Sequence, residues 1–219
     1  MFEHLPFAGL ALLLGFKHSY DPDHLIAVAN FLRKASTLRS AVRISISWAL
    51  GHMVTAAIVT TLLYAFRESI LRLFLANFEK VVAVMLIVLG LFSLKDLLSL
   101  HSHAHKHENT QHSHLHLHSG EGNVHKHAHK HMFGIGIIHG LASNDELLIL
   151  FTASLGLTTL AGILLGVAVF SIGVVLGMVL FAVLFSYPLL RTRSEICYKL
   201  ITIITGVVSI AYGAAALTR

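Results

Sequence analysis

Residues 15–28 read GFKHSYDPDHLIAV. Within this mostly apolar stretch stand a lysine, two histidines and two aspartates, and a proline lies between the aspartates. Ionisable side chains inside a membrane-crossing segment are rare and costly, and by default they mark a substrate or ion path. Whether this stretch is a surface turn or a membrane site therefore depends on the sequence around it.

The surrounding composition is that of a membrane protein. Of the 219 residues, 55% are hydrophobic and only 12% are charged, against about 25% in a soluble domain. The net charge of +5 comes from short loops without a basic stripe of interleaved aromatics, so we expect no nucleic-acid partner. The single cysteine, Cys197, excludes an internal disulfide and a cysteine-based metal site. The first apolar segment lacks a basic n-region, which favours a retained span over a cleaved signal peptide.

Six stretches are apolar and long enough, at about 20 residues, to cross a bilayer as helices. We therefore predict an all-α integral membrane protein, surrounded by membrane lipid. Arginine and lysine concentrate in the first and fifth loops, and the positive-inside rule then places the first, third and fifth loops in the cytoplasm. Both termini are accordingly predicted outside the cell membrane. The six predicted transmembrane helices are 5–32, 43–66, 76–100, 132–154, 158–186 and 197–217.

A histidine-rich insert, residues 101–131, separates the third span from the fourth. Twelve of its 31 residues are histidine, in three H-x-H-x-H-x-H runs. Such a tract can bind many metal ions but has no fixed geometry that would select among them. We therefore predict a disordered cytoplasmic buffer or funnel that transport does not need. A linker with incidental metal affinity is the alternative. The chain is thus divided into a first membrane half (1–100), the insert and a second membrane half (132–219).

The two halves are predicted to be inverted three-helix repeats, because an odd number of spans makes the second half enter from the opposite side. Aligning His18 with His139 sets Asp23 and His24 over Asn144 and Asp145. The first and fourth spans are therefore both expected to be broken helices. Paired broken helices at matching positions of two halves mark the central site of many transporters.

Pro22 is what allows the first cluster to hold one ion. In a regular helix, Asp23 would point roughly 140° and His24 roughly 120° away from His18, which is too far apart to share an ion at bond lengths near ~2 Å. Because proline lacks an N–H and clashes with the carbonyl four residues earlier, the helix should kink or unwind there. The alternative is a buried polar network that only joins helices.

The neighbouring polar residues have different expected roles. Lys17 and Asp21 stand at i and i+4 and can pair with each other, which leaves Asp23 as the ligand carboxylate. His52, in SWALGHMVT, is either a further ligand or a helix–helix hydrogen bond. Imidazole and carboxylate together suit a divalent transition metal such as Ni²⁺, Co²⁺ or Zn²⁺. In the second half, the residues that could complete the site, line the path or take up protons are His139, Asn144, Asp145 and Glu146.

Three short motifs carry a family resemblance. HSYDPDHLIAV (18–28) resembles the H-x4-D-H signature of the nickel/cobalt transporter family (NiCoT) and its UreH-like relatives. SWALGHMVT (47–55) resembles the glycine–histidine motif of that family's next helix, and HGLASNDEL (139–147) is similar to a motif that opens the second half of UreH-like members. The longer members have eight spans, and this chain departs from them with six. Carried over residue by residue, the metal-binding set that the resemblance implies is His18, Asp23, His24 and His52.

The favoured function is a secondary transporter of Ni²⁺ or Co²⁺, with uptake slightly favoured over efflux. No G-x-x-x-x-G-K-[ST] motif is present, so a P-loop ATPase is excluded. A proton-coupled metal exporter is the alternative, followed by an intramembrane zinc metallohydrolase, although H-E-x-x-H is absent. We predict no enzyme activity and no catalytic cofactor, with the metal ion as substrate. A cytoplasmic metal acceptor is a further expected partner, and the sequence leaves the oligomeric state open.

Overall fold

A computed structural model describes residues 5–66, 69–98, 100–107, 110–117, 124–142, 160–192 and 194–218. Within these ranges the chain is helical apart from one hairpin of two strands. The helices are α1 (Leu5–His18), α2 (Pro22–Leu32), α3 (Leu38–Phe66), α4 (Ser69–Leu98), α5 (Val124–Ala142), α6 (Leu160–Thr192) and α7 (Glu195–Leu217), and the strands are β1 (Leu100–His107) and β2 (Thr110–Leu117).

The described helices have the surface of a membrane protein. Three segments are long and apolar enough to cross a bilayer: Leu38–Leu62 in α3, Leu160–Thr192 in α6 and Glu195–Leu217 in α7. Large apolar side chains on the outside of the bundle are widely exposed, for example Leu165 at 67% and Ile196 at 71%. Because such a surface would be unfavourable in water, it fits contact with lipid tails. The predicted class of helical membrane protein is therefore confirmed.

The first predicted span is broken where the proline stands. Helix α1 ends at His18, and α2 begins with Pro22 at its first position. Asp21 has an extended backbone, with φ −60° and ψ 137°, and its side chain does not cap α2. Proline at the first turn of a helix loses no hydrogen bond, so the chain restarts as a new helix after three residues. The Asp21 carboxylate is thereby left available to other partners.

Glycines allow the helices to approach closely. The most extensive pairs are α1 with α6, α3 with α5 and α4 with α7, and α3 also packs against α6. A side-chain carbon added at any of six glycines would overlap a backbone carbonyl of the facing helix, which is the packing that small residues permit in membrane helices. The approaches are Gly15 to Phe170, Gly173 to Leu12, Gly51 to Phe133, Gly136 to Trp48, Gly90 to Gly206 and Gly213 to Ala83.

These approaches correspond between the two halves. In the alignment of the halves given above, Gly15 of α1 coincides with Gly136 of α5; the first faces a carbonyl of α6 and the second a carbonyl of α3. In return, Gly51 of α3 faces α5, and Gly173 of α6 faces α1. The α1–α6 pair in one half-to-half contact therefore corresponds to the α5–α3 pair in the other. The α3–α6 and α4–α7 pairs each join two helices that are counterparts of one another in the two halves.

The described part of the histidine-rich insert contains the two strands. Strands β1 and β2 pair antiparallel, and the register sets His101 opposite His116, His103 opposite His114 and His105 opposite His112. Helix α5 begins at Val124, eight residues before the fourth span was expected to start. Strict alternation of residue types is the period of a strand.

An ionic cluster joins three helix ends. The Arg33 guanidinium, only 5% exposed, lies 2.6 Å from the Asp96 carboxylate at the end of α4. Lys34 contacts the same carboxylate, and Arg33 also donates to the Tyr198 hydroxyl of α7 at 3.2 Å. Asp96 joins the end of α2 to α4, because a partly buried carboxylate requires a cationic partner.

Candidate metal centre

Four histidines from four different helices lie together in the interior of the bundle. His18 ends α1, His24 lies in the first turn of α2, His52 is in the middle of α3 and His139 is near the end of the described part of α5. Each is at most 1% exposed. The break before Pro22 turns the chain sharply enough for His18 and His24 to face each other, their rings 4.7 Å apart and nearly perpendicular. The sequence-based expectation that an unwound turn lets these side chains converge agrees with this geometry.

Three imidazoles have the spacing of metal ligands. Nε2 of His18 lies 3.1 Å from Nε2 of His24 and 3.2 Å from Nε2 of His52. An ion with bonds of about 2.1 Å holds neighbouring ligand atoms about 3.0 Å apart in octahedral geometry and about 3.4 Å apart in tetrahedral geometry. The observed separations fall between those two values. Two of the three separations thus suit a divalent transition ion, and the ligand atoms of all three histidines lie within 4.8 Å of one another.

Hydrogen bonds alone satisfy this group poorly. A neutral imidazole has one N–H and one lone pair. The Asp21 carboxylate lies 2.9 Å from Nδ1 of His18, and a carboxylate accepts, so the His18 proton belongs on Nδ1. Its Nε2 then has a single lone pair facing the ring nitrogens of both His24 and His52. A cation between the three nitrogens would be bound by a lone pair from each of them. In contrast, the single lone pair on Nε2 of His18 cannot accept a full hydrogen bond from both His24 and His52.

Two of the rings have outer partners of the kind found at metal sites. Metal-ligating histidines usually donate their second N–H to a carboxylate or a backbone carbonyl. Asp21 takes this role for His18, and the Ile135 carbonyl, 3.2 Å from Nδ1, takes it for His139. The sequence interpretation paired Asp21 with Lys17 and missed its contact with His18. Asp21 is therefore a positioning residue for the site.

Asp23 belongs to a second, adjacent group. Asp23, His24 and His139 each offer a ligand atom, and these atoms lie within 4.8 Å of one another. Oδ1 of Asp23 is 3.2 Å from Nδ1 of His24, and the Asp23 side chain is only 15% exposed. The Asp23 carboxylate thus lies beside Nδ1 of His24, whereas His18 lies beside its Nε2.

Two aromatic residues that the sequence analysis overlooked form walls of the site. The Trp48 ring lies 4.8 Å from His24 and 5.6 Å from His139, and the Phe170 ring lies 5.4 Å from His18. Both are fully buried, and an apolar wall keeps water away from a metal site. Trp48 could have been found from its position one helical turn before His52, where residues four apart share a face. Phe170 had no such signal.

The wall residues also correspond between the halves. Trp48 and Phe170 are the residues whose carbonyls face Gly136 and Gly15. The ring pair of His139 with Trp48 is therefore the counterpart of the ring pair of His18 with Phe170. The four histidines accordingly lie between the two halves and not within either one.

The remaining predicted residues have different positions. Pro22 is the first residue of α2 and shapes the site without offering a donor. Lys17 is in the last turn of α1. Asn144, Asp145 and Glu146 lie outside the described residues, as does the predicted break in the fourth helix.

Comparisons with known proteins give one relative of near-complete coverage. The chain is 30% identical over 205 residues to the urease accessory protein UreH of Bacillus sp. (strain TB-90), an alignment that covers 93% of this chain and 87% of that protein. No family model matches the sequence. No solved structure matches it either.

Proposed function

The chain belongs to the UreH-like branch of the nickel/cobalt transporter family, and from that premise we propose that it is a secondary transporter of Ni²⁺ or Co²⁺. The ion would bind among His18, His24 and His52, with Asp23 close by. The family favours transport over the intramembrane hydrolase alternative, so we propose no enzyme activity and no catalytic cofactor. The metal ion is the substrate.

The observation that carries the proposal is the group of three buried Nε2 atoms at ligand spacing. These nitrogens come from three helices, so the separations of 3.1 and 3.2 Å depend on the packing of the bundle. Imidazole ligands suit borderline divalent transition ions and suit Na⁺ or K⁺ poorly. Intramembrane histidines of this kind commonly form ion paths.

We propose six spans arranged as two inverted halves. The correspondence of the glycine contacts supports this arrangement, because the helix pairs are conserved when the halves are exchanged. The span count follows if α1 with α2 forms the first span and α5 continues through the fourth. The proposed location is the cell membrane, with both termini outside and the histidine-rich insert in the cytoplasm.

The membrane potential suffices as the driving force for uptake. It contributes about 2.3 kcal/mol per charge at 100 mV, so a divalent ion gains about 4.6 kcal/mol on entry. An exporter would have to oppose that gain, for example by proton exchange through the same histidines. The histidine-rich insert, as a cytoplasmic metal store, favours this second candidate. A cytoplasmic metal acceptor remains a proposed partner in either direction.

Reconstitution into proteoliposomes tests the function and its direction. Radioactive Ni²⁺ should accumulate when a potassium-diffusion potential makes the vesicle interior negative, and accumulation should stop when the potential is collapsed. His24→Ala should remove the signal. Ser171→Ala is the matched control, since Ser171 is also buried but bonds the Val167 carbonyl of its own helix. Accumulation that requires an imposed proton gradient and not the potential would identify the exporter, and no metal movement under either condition would contradict both.

A further inference from the structure

His24 is common to both groups of potential ligands and presents a different nitrogen to each. Its Nε2 faces Nε2 of His18 at 3.1 Å, whereas its Nδ1 faces Oδ1 of Asp23 at 3.2 Å. The His139 ring meets the His24 ring nearly edge-on, at 89° with the centroids 5.2 Å apart. The two groups therefore lie side by side and share one imidazole.

Nε2 of His139 is a buried nitrogen without a hydrogen-bond partner in the part of the chain that the structure describes. Nδ1 of His24 lies beside the Asp23 carboxylate, at 3.2 Å. The Ile135 carbonyl can only accept, so the His139 proton belongs on Nδ1 and the lone pair on Nε2. Buried polar atoms without partners are rare in proteins, and each calls for an explanation such as an absent ion.

The geometry points to a second intramembrane position for the transported ion, held by Asp23, Nδ1 of His24 and Nε2 of His139. This inference rests on the proposed transport function. The donor set is two imidazoles and a carboxylate, which suits the same divalent ions as the first position. The carboxylate adds a negative charge that the three-histidine position lacks, so the two positions differ in chemistry as well as in location.

The shared ring makes the two positions mutually exclusive. A neutral imidazole has one lone pair, so His24 can bind an ion through Nε2 or through Nδ1 but not through both. With the ion on Nε2, the ring proton is on Nδ1, beside the Asp23 carboxylate. With the ion on Nδ1, the proton is on Nε2, where the Nε2 lone pair of His18 can accept it. Movement of one ion between the positions thus relocates one proton on His24 and changes no net charge.

The positions also relate to the two halves of the chain. His18 and His139 are counterparts in the alignment of the halves, and His24 lies between them. The first position uses His18 and the second uses His139. An ion that moves from one to the other therefore leaves the ligand of one half and binds the equivalent ligand of the other.

The test needs a protein without the twelve insert histidines. The loop-free protein lacks residues 101–123 and has serine in place of the histidines at 125, 127, 129 and 131, which keeps α5 at its observed length. Co²⁺ is the probe, because its visible absorption reports the ligand set. We expect one Co²⁺ per loop-free chain by equilibrium dialysis. His139→Ala should change its affinity less than about threefold and yet reduce the transport rate at least about 50-fold.

Further variants separate the possible outcomes. His52→Ala should still bind one ion, with a spectrum unlike that of His139→Ala, because the ion would occupy the second position. His139→Gln checks that the loss does not come from misfolding, and Ser171→Ala should match the parent protein in binding and rate. Wild-type transport by His139→Ala and His139→Gln would overturn the second position while leaving the proposed function intact. Two ions bound together, or equal losses of affinity and rate in His139→Ala, would also overturn it. Absence of Co²⁺ binding by the parent loop-free protein would instead contradict the proposed function.

Discussion

Sixteen of the seventeen histidines form two sets that are assembled in opposite ways. In the interior of the bundle, His18, His24, His52 and His139 come from four helices and have fixed separations. In the insert, twelve histidines follow one another in a single stretch, and their number comes from simple repetition. The difference indicates that selectivity for an ion depends on ligand distances set by helix packing, whereas the number of ions bound depends on the number of histidines. The expected effects of substitution differ accordingly.

The largest effect is expected from the shared and adjacent ligands. His18→Ala, Asp23→Ala and His24→Ala should each reduce the initial rate of Ni²⁺ uptake more than about 100-fold, since even the outer partners of a metal site are worth 10–100-fold. Uptake by proteoliposomes measures the rate, and gel filtration in detergent checks folding. Normal uptake by any two of the three variants would contradict the site.

A second effect tests whether the interior set depends on packing. Gly136→Val should destabilise the protein by about 1–3 kcal/mol, because the added side chain meets the Trp48 carbonyl. Gly15→Val, its counterpart in the first half, should have a similar effect. Gly134→Val and Gly9→Val are matched controls, since nothing lies within 4 Å of an added carbon at either position among the described residues. Thermal unfolding in detergent compares the four, and equal stability throughout would contradict the close packing.

Acidification should weaken binding at the interior set. Protons and metal compete for the same ring nitrogens, so affinity must fall as pH falls. Co²⁺ titration of the loop-free protein at several pH values measures the effect. An affinity independent of pH would mean that carboxylates and carbonyls hold the ion instead of imidazoles.

His52→Ala should have a smaller effect, about tenfold in affinity, together with altered preference among Ni²⁺, Co²⁺ and Zn²⁺. His52 is one of three ligands in the first position and has no place in the second, so binding should weaken without disappearing. Competition titrations with the three ions measure the preference. If the preference stayed as in the parent protein, His52 would serve only to pack α3 against α1.

The smallest effect on transport is expected from the insert. The loop-free protein should transport within about twofold of the full chain, since loop length contributes little free energy. It should bind fewer metal equivalents at neutral pH and keep the same order of preference among ions. Loss of selectivity with the insert would place the filter in the insert and not in the membrane.

The part of the site closest to the proline break was accessible from the sequence. Pro22 predicts an interruption after His18 through purely local sterics, and the structure has the break there. The membrane class follows from composition in the same way. His139 could be proposed from its alignment with His18, because repeats preserve spacing.

Contacts between distant segments were not accessible in this way. The contact of Asp21 with His18 depends on the turn that the break produces, and the pairing of Arg33 with Asp96 joins helices 63 residues apart. Phe170 reaches the site only through the packing of α6 against α1. The paired strands in the insert follow the alternating pattern of its histidines, which composition alone does not reveal.

The break at Pro22 has a mechanical consequence. The two pieces of the first span pack differently, because α1 packs mainly on α6 whereas α2 divides its contacts among α7, α4, α3 and α6 and is joined to α4 and α7 by Arg33. The break thus acts as a joint between two bodies, α1 and α2. His18 is on one side of this joint and His24 on the other, so any tilt of one body against the other changes the distance between their nitrogens directly. The distance between the ligand nitrogens and the angle between α1 and α2 therefore change together. An ion bound by His18 and His24 would hold that angle fixed.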